Sequence, residues 1–213
     1  MNRLFALARS VAAVSLLAAC GGGGSAPDVG TRPVGEAEVV ADVPSTRTYK
    51  RMDIDQLEAA IQRATGGIGW TERIAGKDVS LFDHLSGSLG KPEYLARTEE
   101  DLLPGLLFQK FLDDAATSAC TELVRVEPGR PSDERVLIRP IELADTVIDA
   151  DGTEEGVRLA LRRFHGRMVA PGDPELAPWL TLMSQARDAT GDPASSWRAL
   201  CVALIVHPDF YSY

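Results

Sequence analysis

Three features of the amino-acid sequence point to an all-α fold, an irregular bundle of about six helices with one short segment that is either extended or a broken helical turn. Apolar residues between residues 53 and 206 recur at three- and four-residue steps, the spacing of one helix face. Glycine and proline punctuate these runs where helices stop. Cys120 and Cys201 both fall on the apolar faces, so they belong to the interior. No fixed-period self-similarity occurs, which argues against a repeat array.

The first helix opens at Asp53-Ile54-Asp55 and carries Leu57, Ile61 and Ala64 at helical spacing. Asp53 or Asp55 caps it and complements the macrodipole. Thr65-Gly66-Gly67 stops it, because glycine tolerates the left-handed exit conformation. The next segment, GGIGWTERIAGKD, reads as turn-rich. A second short helix over Val79 to Ser88 presents Leu81, Phe82 and Leu85, and Pro92 prevents its continuation. The longest helix is expected from Glu99 to Leu123. Its two rows, Leu103-Leu107-Phe111 and Phe108-Leu112-Ala116-Cys120, make a wide apolar face. Glu99, Glu100 and Asp101 suit its first turn, and Pro104 requires that the helix start close by.

Pro128-Gly129 then marks a turn, and Arg135 to Ile141 is the segment left open between an extended piece and a helical turn. A fourth helix, Thr153 to Met168, places Val157, Leu161, Phe164 and Met168 on one face. A fifth, Pro174 to Ala189, carries Leu176, Leu180 and Met183. The last, Pro193 to Val206, carries Trp197, Leu200, Cys201, Leu204 and Ile205, and Pro208 ends it. The aromatic end HPDFYSY is expected to fold back and complete the core, tying down a terminus that otherwise frays, with a partner-binding tail as the alternative.

Ahead of this domain lie two further regions. Residues 1–19 hold Arg3 and Arg9 as their charges, followed by an apolar run from Val11 to Ala19 interrupted by Ser15. That layout is a secretory signal, too short in its apolar part to span a bilayer. Leu17-Ala18-Ala19-Cys20 resembles the lipobox of bacterial lipoproteins. The resemblance implies cleavage before Cys20 and acylation of its thiol; the alternative is an ordinary signal peptide with a cysteine nearby. Gly21, in place of an aspartate, implies the outer membrane for the anchor. From residue 20 to 48 the chain is rich in Gly, Pro and Ser and reads as a flexible tether. A coil of about 28 residues spans roughly 30 Å, enough to hold a domain off the headgroups. The single helical domain is expected over residues 49–213.

The full chain carries a formal charge of -9. With the signal removed, 20 basic residues face 31 acidic ones. Such a surface repels phosphate backbones, and no basic stripe offsets this, so nucleic acid is excluded as a partner. Cys120 and Cys201 remain after Cys20 is assigned to lipid. In an oxidising compartment this even pair reads as a disulfide, with two buried free thiols as the alternative. Closing 81 residues of sequence separation contributes about 4.5 kcal/mol in the chain-entropy picture. The bridge also requires the third and last helices to pack together.

Candidate chemistry is sparse. His84, His165 and His207 could supply three zinc ligands, but no two share the i, i+4 spacing of a helical metal pair, and no cofactor or metal is expected. Arg158, Arg162, Arg163 and Arg167, with His165 among them, form the basic cluster of an acidic protein. They could grip a phosphate or carboxylate, or pair with Glu154, Glu155, Asp173 and Glu175 while their stems cover apolar surface. No G-x-S-x-G elbow, phosphate-binding glycine loop or C-x-x-C-H haem motif is present.

From Val157 onward, an Arg-rich helix, a spacer helix and the stretch SWRALCVALIVHPDFYSY are similar to the end of helical regions in exported proteins of planctomycetes and myxobacteria, some of which accompany c-type cytochrome domains. Without a haem motif the resemblance implies no redox role, and it transfers no catalytic residue. The expectation for function is a non-enzymatic envelope lipoprotein, held to the membrane by lipid, that binds or organises another envelope component. The alternative is an envelope enzyme or redox accessory using the histidines or the arginine cluster.

Overall fold

Asp53 starts the first helix with two reciprocal hydrogen bonds. Its Oδ1 accepts from the Gln56 N–H at 2.7 Å, and Gln56 Oε1 accepts from the Asp53 N–H at 3.3 Å, a capping box. The resulting α1, Ile54–Ala64, buries Ile54, Leu57, Ile61 and Ala64, the expected face with Ile54 added. In this computed structural model, residues 50–89, 91, 102–148 and 150–213 are described, and they fall in one unit spanning Thr46–Tyr213. The expected signal and tether lie outside the described residues.

The segment after α1 corrects the turn-rich reading. Strands β1, Thr71–Ile74, and β2, Lys77–Ser80, pair antiparallel with Thr71 opposite Ser80. Ala75 and Gly76 both hold positive φ, 50° and 82°, as a two-residue turn matched to strand twist requires. Val79 therefore belongs to a strand, and α2 is only Leu81–Leu85, followed by a 3-10 turn through Leu89. Trp70, Phe82 and Phe111 meet edge to face, with centroids 4.9–5.8 Å apart, and join this hairpin region to the third helix.

That helix, α3, runs from Leu106 to Val126, later at both ends than expected. Gly105 is its N-cap and Pro104 precedes it, so the proline ring never meets the helical ladder. The expected first turn at Glu99–Asp101 lies outside the described residues. Leu103 and Leu107 are exposed rather than core, because one precedes the helix and the other sits in its first turn. The remaining row, Phe108, Leu112, Ala116 and Cys120, is buried with Phe111, and the small Ala115 and Ala119 let a neighbouring helix approach.

The neighbour is α6, Pro193–Val206, where Trp197, Leu200, Cys201, Leu204 and Ile205 are all fully buried as the periodicity predicts. Cys120 and Cys201 are bonded across this contact, with Cα atoms 5.8 Å apart. Helix α4, Asp151–His165, buries Val157, Leu161 and Phe164. Its end differs from expectation: Gly166 takes φ 68° and closes the helix, which throws Met168 into the following loop at 83% exposure. Gly156 lets α4 lie against α6, since a Cβ there would stand 2.6 Å from Trp197 Cη2 and clash with the Arg139 carbonyl. Helix α5, Ala177–Thr190, follows a 3-10 turn at Pro174–Leu176 and packs along α6.

One loop depends on a polar group that the sequence did not flag. Residues 135–141 are neither a strand nor a helical turn. Their backbone wraps the fully buried Glu127 carboxylate, which accepts N–H bonds from Val136, from Leu137 at 2.8 Å and from Ile138 at 2.7 Å. Buried backbone donors need such partners, and here one side chain serves three. The chain end does fold back: α7, Pro208–Tyr211, buries Phe210 and Tyr211, and the Met52 N–H donates to the Tyr211 carbonyl at 2.7 Å. Tyr213 stays 68% exposed. Among the described residues, no helix is long and apolar enough to cross a membrane.

Candidate functional site

The arginines near the end of α4 do not converge on one anion. Arg163 turns to α1, where its Nε donates to the Ala64 carbonyl at 2.6 Å and its Nη2 to the Arg63 carbonyl at 2.9 Å. It thereby satisfies carbonyls exposed at a helix C-terminus. Burial pulls its pKa below the ordinary arginine value, against the opposing pull of Glu127. Arg158 Nε donates to the Val169 carbonyl at 2.8 Å, which fixes the loop after α4. Arg158 and Arg162 share a cleft of about 130 Å³ with Glu155, Leu159, Met168 and Val169. Arg167 pairs with Glu175 at 2.6 Å and lies 3.5 Å from Asp209. Of the expected carboxylate partners, Glu175 is met by this pair.

Arg167 instead leads to a different cluster, at the end of α4 and the junction of α6 with α7. His165 is the last residue of α4, and the αL turn at Gly166 holds it there. Its Nε2 lies 2.8 Å from the Leu204 carbonyl near the end of α6. A carbonyl only accepts, so Nε2 carries the hydrogen and Nδ1 of the neutral ring carries a lone pair. That Nδ1 is buried and has no hydrogen-bond partner among the described residues. Burial lowers the His165 pKa from the ordinary histidine value; the Leu204 carbonyl and Asp209 oppose this, while His207 and Arg167 add to it.

His207 stands where α6 stops, and Pro208 is the reason it stops. Its Nδ1 accepts from the Asp209 N–H at 3.2 Å, which caps α7. The His165 and His207 rings are 5.0 Å apart at centroid, and Trp179 of α5 lies 5.8 Å from each, forming one wall. Asp209 Oδ1 is 3.8 Å from His207 Nδ1. Two imidazoles and a carboxylate therefore face one another at a half-buried edge of the bundle. His84 is exposed on α2 and is not part of this group.

No protein-family model, curated protein or solved structure matches this chain.

Sequence reasoning singled out His165 and His207 but not their meeting, since 42 residues separate them. Asp209 was missed altogether. The one local signal was the spacing of His207 and Asp209 around Pro208, which places His207 at the N-cap and Asp209 in the first turn of a new helix. A second concave surface lies between the Gly67–Thr71 loop and one face of α3. Its volume is about 670 Å³, and Asp114, Thr117, Ser118 and Thr121 line it. Asp114 is paired with Lys110 there. Cys20, the expected lipid site, lies outside the described residues.

Proposed function

We propose that this chain is a lipid-anchored lipoprotein of the bacterial cell envelope, without enzymatic activity, whose helical domain binds or organises another envelope component. The observation that carries the reading is the bond between Cys120 and Cys201. Such bonds persist in compartments outside the reducing cytosol, the destination that the N-terminal signal pattern and Leu17-Ala18-Ala19-Cys20 imply. Of three cysteines, two are then consumed in the core and Cys20 remains for acylation. Several acyl chains at one cysteine give durable attachment where one gives marginal binding.

Mass spectrometry of the N-terminal peptide from membranes of an expressing bacterium tests the anchor. The expected product begins at an acylated Cys20, and Cys20→Ser releases the protein from the membrane fraction. An unacylated N-terminus at another residue, or an uncut cytosolic protein, overturns the reading. Crosslinking in intact envelopes tests the binding role, with a reproducible partner as the expected outcome and none as the contrary one. A second reading, an envelope enzyme, draws on the meeting of His165 and His207; it requires a turnover that His207→Ala abolishes.

A further inference from the structure

We propose that His165, His207 and Asp209 form a binding site for one divalent transition-metal ion of the zinc class. One donor atom from each residue lies within 4.8 Å of the other two. Donors bound tetrahedrally to zinc, each at about 2.0–2.1 Å, stand about 3.4 Å from one another. The donors therefore have to draw together by at most about 1.4 Å for each pair. Two imidazoles with one carboxylate suit zinc and its neighbours in the first transition row, whereas calcium and magnesium take oxygen donors.

His165 carries the strongest part of the argument. Ligating histidines almost always donate their second ring N–H to a carbonyl or carboxylate, which sets the tautomer and aims the other nitrogen. His165 already does this through Nε2 and the Leu204 carbonyl. The nitrogen left over, Nδ1, is buried and has no hydrogen-bond partner among the described residues. A buried acceptor without a donor is unusual in a folded chain, and a cation is a partner that satisfies it.

The other two ligands are held from a different direction. Phe210 and Tyr211 are buried, and the Tyr211 carbonyl accepts from the Met52 N–H, so α7 is tied to the start of the domain. His207 and Asp209 ride on that anchored turn. Arg167 Nη1, 3.5 Å from Asp209 Oδ2, orients the carboxylate, and its own charge is met by Glu175 at 2.6 Å. If Nε2 of His207 binds the ion, the Nδ1 cap on α7 is retained; if Nδ1 binds, the ion replaces one exposed hydrogen bond. Three protein ligands leave a fourth position for water or an exchangeable donor, the arrangement of an open zinc site. Trp179 shields one side of it.

The test uses the full chain without a histidine tag, stripped by chelator and titrated with Zn²⁺ alone against a competing indicator. One Zn²⁺ per chain is expected. His165→Ala and His207→Ala each weaken binding by more than about 100-fold, beyond the 10–100-fold cost of losing an outer-shell partner. His84→Ala leaves it unchanged. Because the His207 variant also loses a cap, the unmutated protein is followed by NMR: Zn²⁺ moves the ring signals of His165 and His207 and leaves those of His84 in place. No stoichiometric binding, undiminished binding in both variants, or ring shifts confined to His84 overturns the proposal. None of these results bears on acylation at Cys20, so the two readings stand or fall separately.

Discussion

The two ends of the α4–α6 contact are built to opposite standards. At one end, Trp197 is fully buried, its Nε1–H donates to Thr146 Oγ1 at 2.9 Å, and Thr146 in turn donates to the Leu143 carbonyl at 2.8 Å. Arg187 reaches the Thr146 carbonyl, and Ser196 donates to the Met183 carbonyl at 2.9 Å. Gly156 admits the indole where any Cβ would collide. At the other end, His165 and His207 are half-buried, one ring nitrogen has no hydrogen-bond partner among the described residues, and a carboxylate stands beside them. Polar groups at the first end are satisfied by the protein itself; at the second, the protein stops short. The first pattern holds a core together, while the second leaves coordination capacity unspent, as binding sites do.

Substitutions can separate the ends. Gly156→Ala is expected to have the largest effect. Its methyl meets the Arg139 carbonyl and Trp197, so overpacking costs about 3 kcal/mol. A denaturation midpoint that stays at the wild-type value would show that α4 and α6 are less closely apposed than described. Trp197→Phe comes next. It removes the indole N–H and leaves the buried Thr146 hydroxyl one bond short, at a cost of about 1–3 kcal/mol, read from the same midpoint. Smallest is His165→Ala in metal-free protein. It gives up one half-buried hydrogen bond to the Leu204 carbonyl, about 1 kcal/mol or less. A loss as large as that of Trp197→Phe would make His165 a structural residue and erase the contrast.

How legible each part was in the sequence follows from how local its cause is. Helix α6 could be read whole, because Trp197, Leu200, Cys201, Leu204 and Ile205 lie on one face and Pro193 and Pro208 bracket it. The face of α1 was equally plain. The β1–β2 hairpin was not, since its strands are four residues each, largely exposed and without apolar alternation, and its turn is Ala75-Gly76 rather than an asparagine–glycine pair. Met168 matched the helical period but fell beyond Gly166, so backbone conformation overrode periodicity. Glu127 escaped notice because a lone glutamate is normally a surface residue; only the fold brings three N–H groups to it.

Sequence alone determined the helical class and the apolar-face placement of Cys120 and Cys201. Each follows from residues within a few turns of one another, where spacing and capping act directly. Tertiary structure decided which arginines meet carbonyls or carboxylates. It also decided that Glu127 organises a loop and that His165 faces His207 and Asp209. Those meetings join residues between 8 and 100 positions apart, and no local propensity encodes such a contact. They form when the packed helices of the bundle carry their ends to the same place.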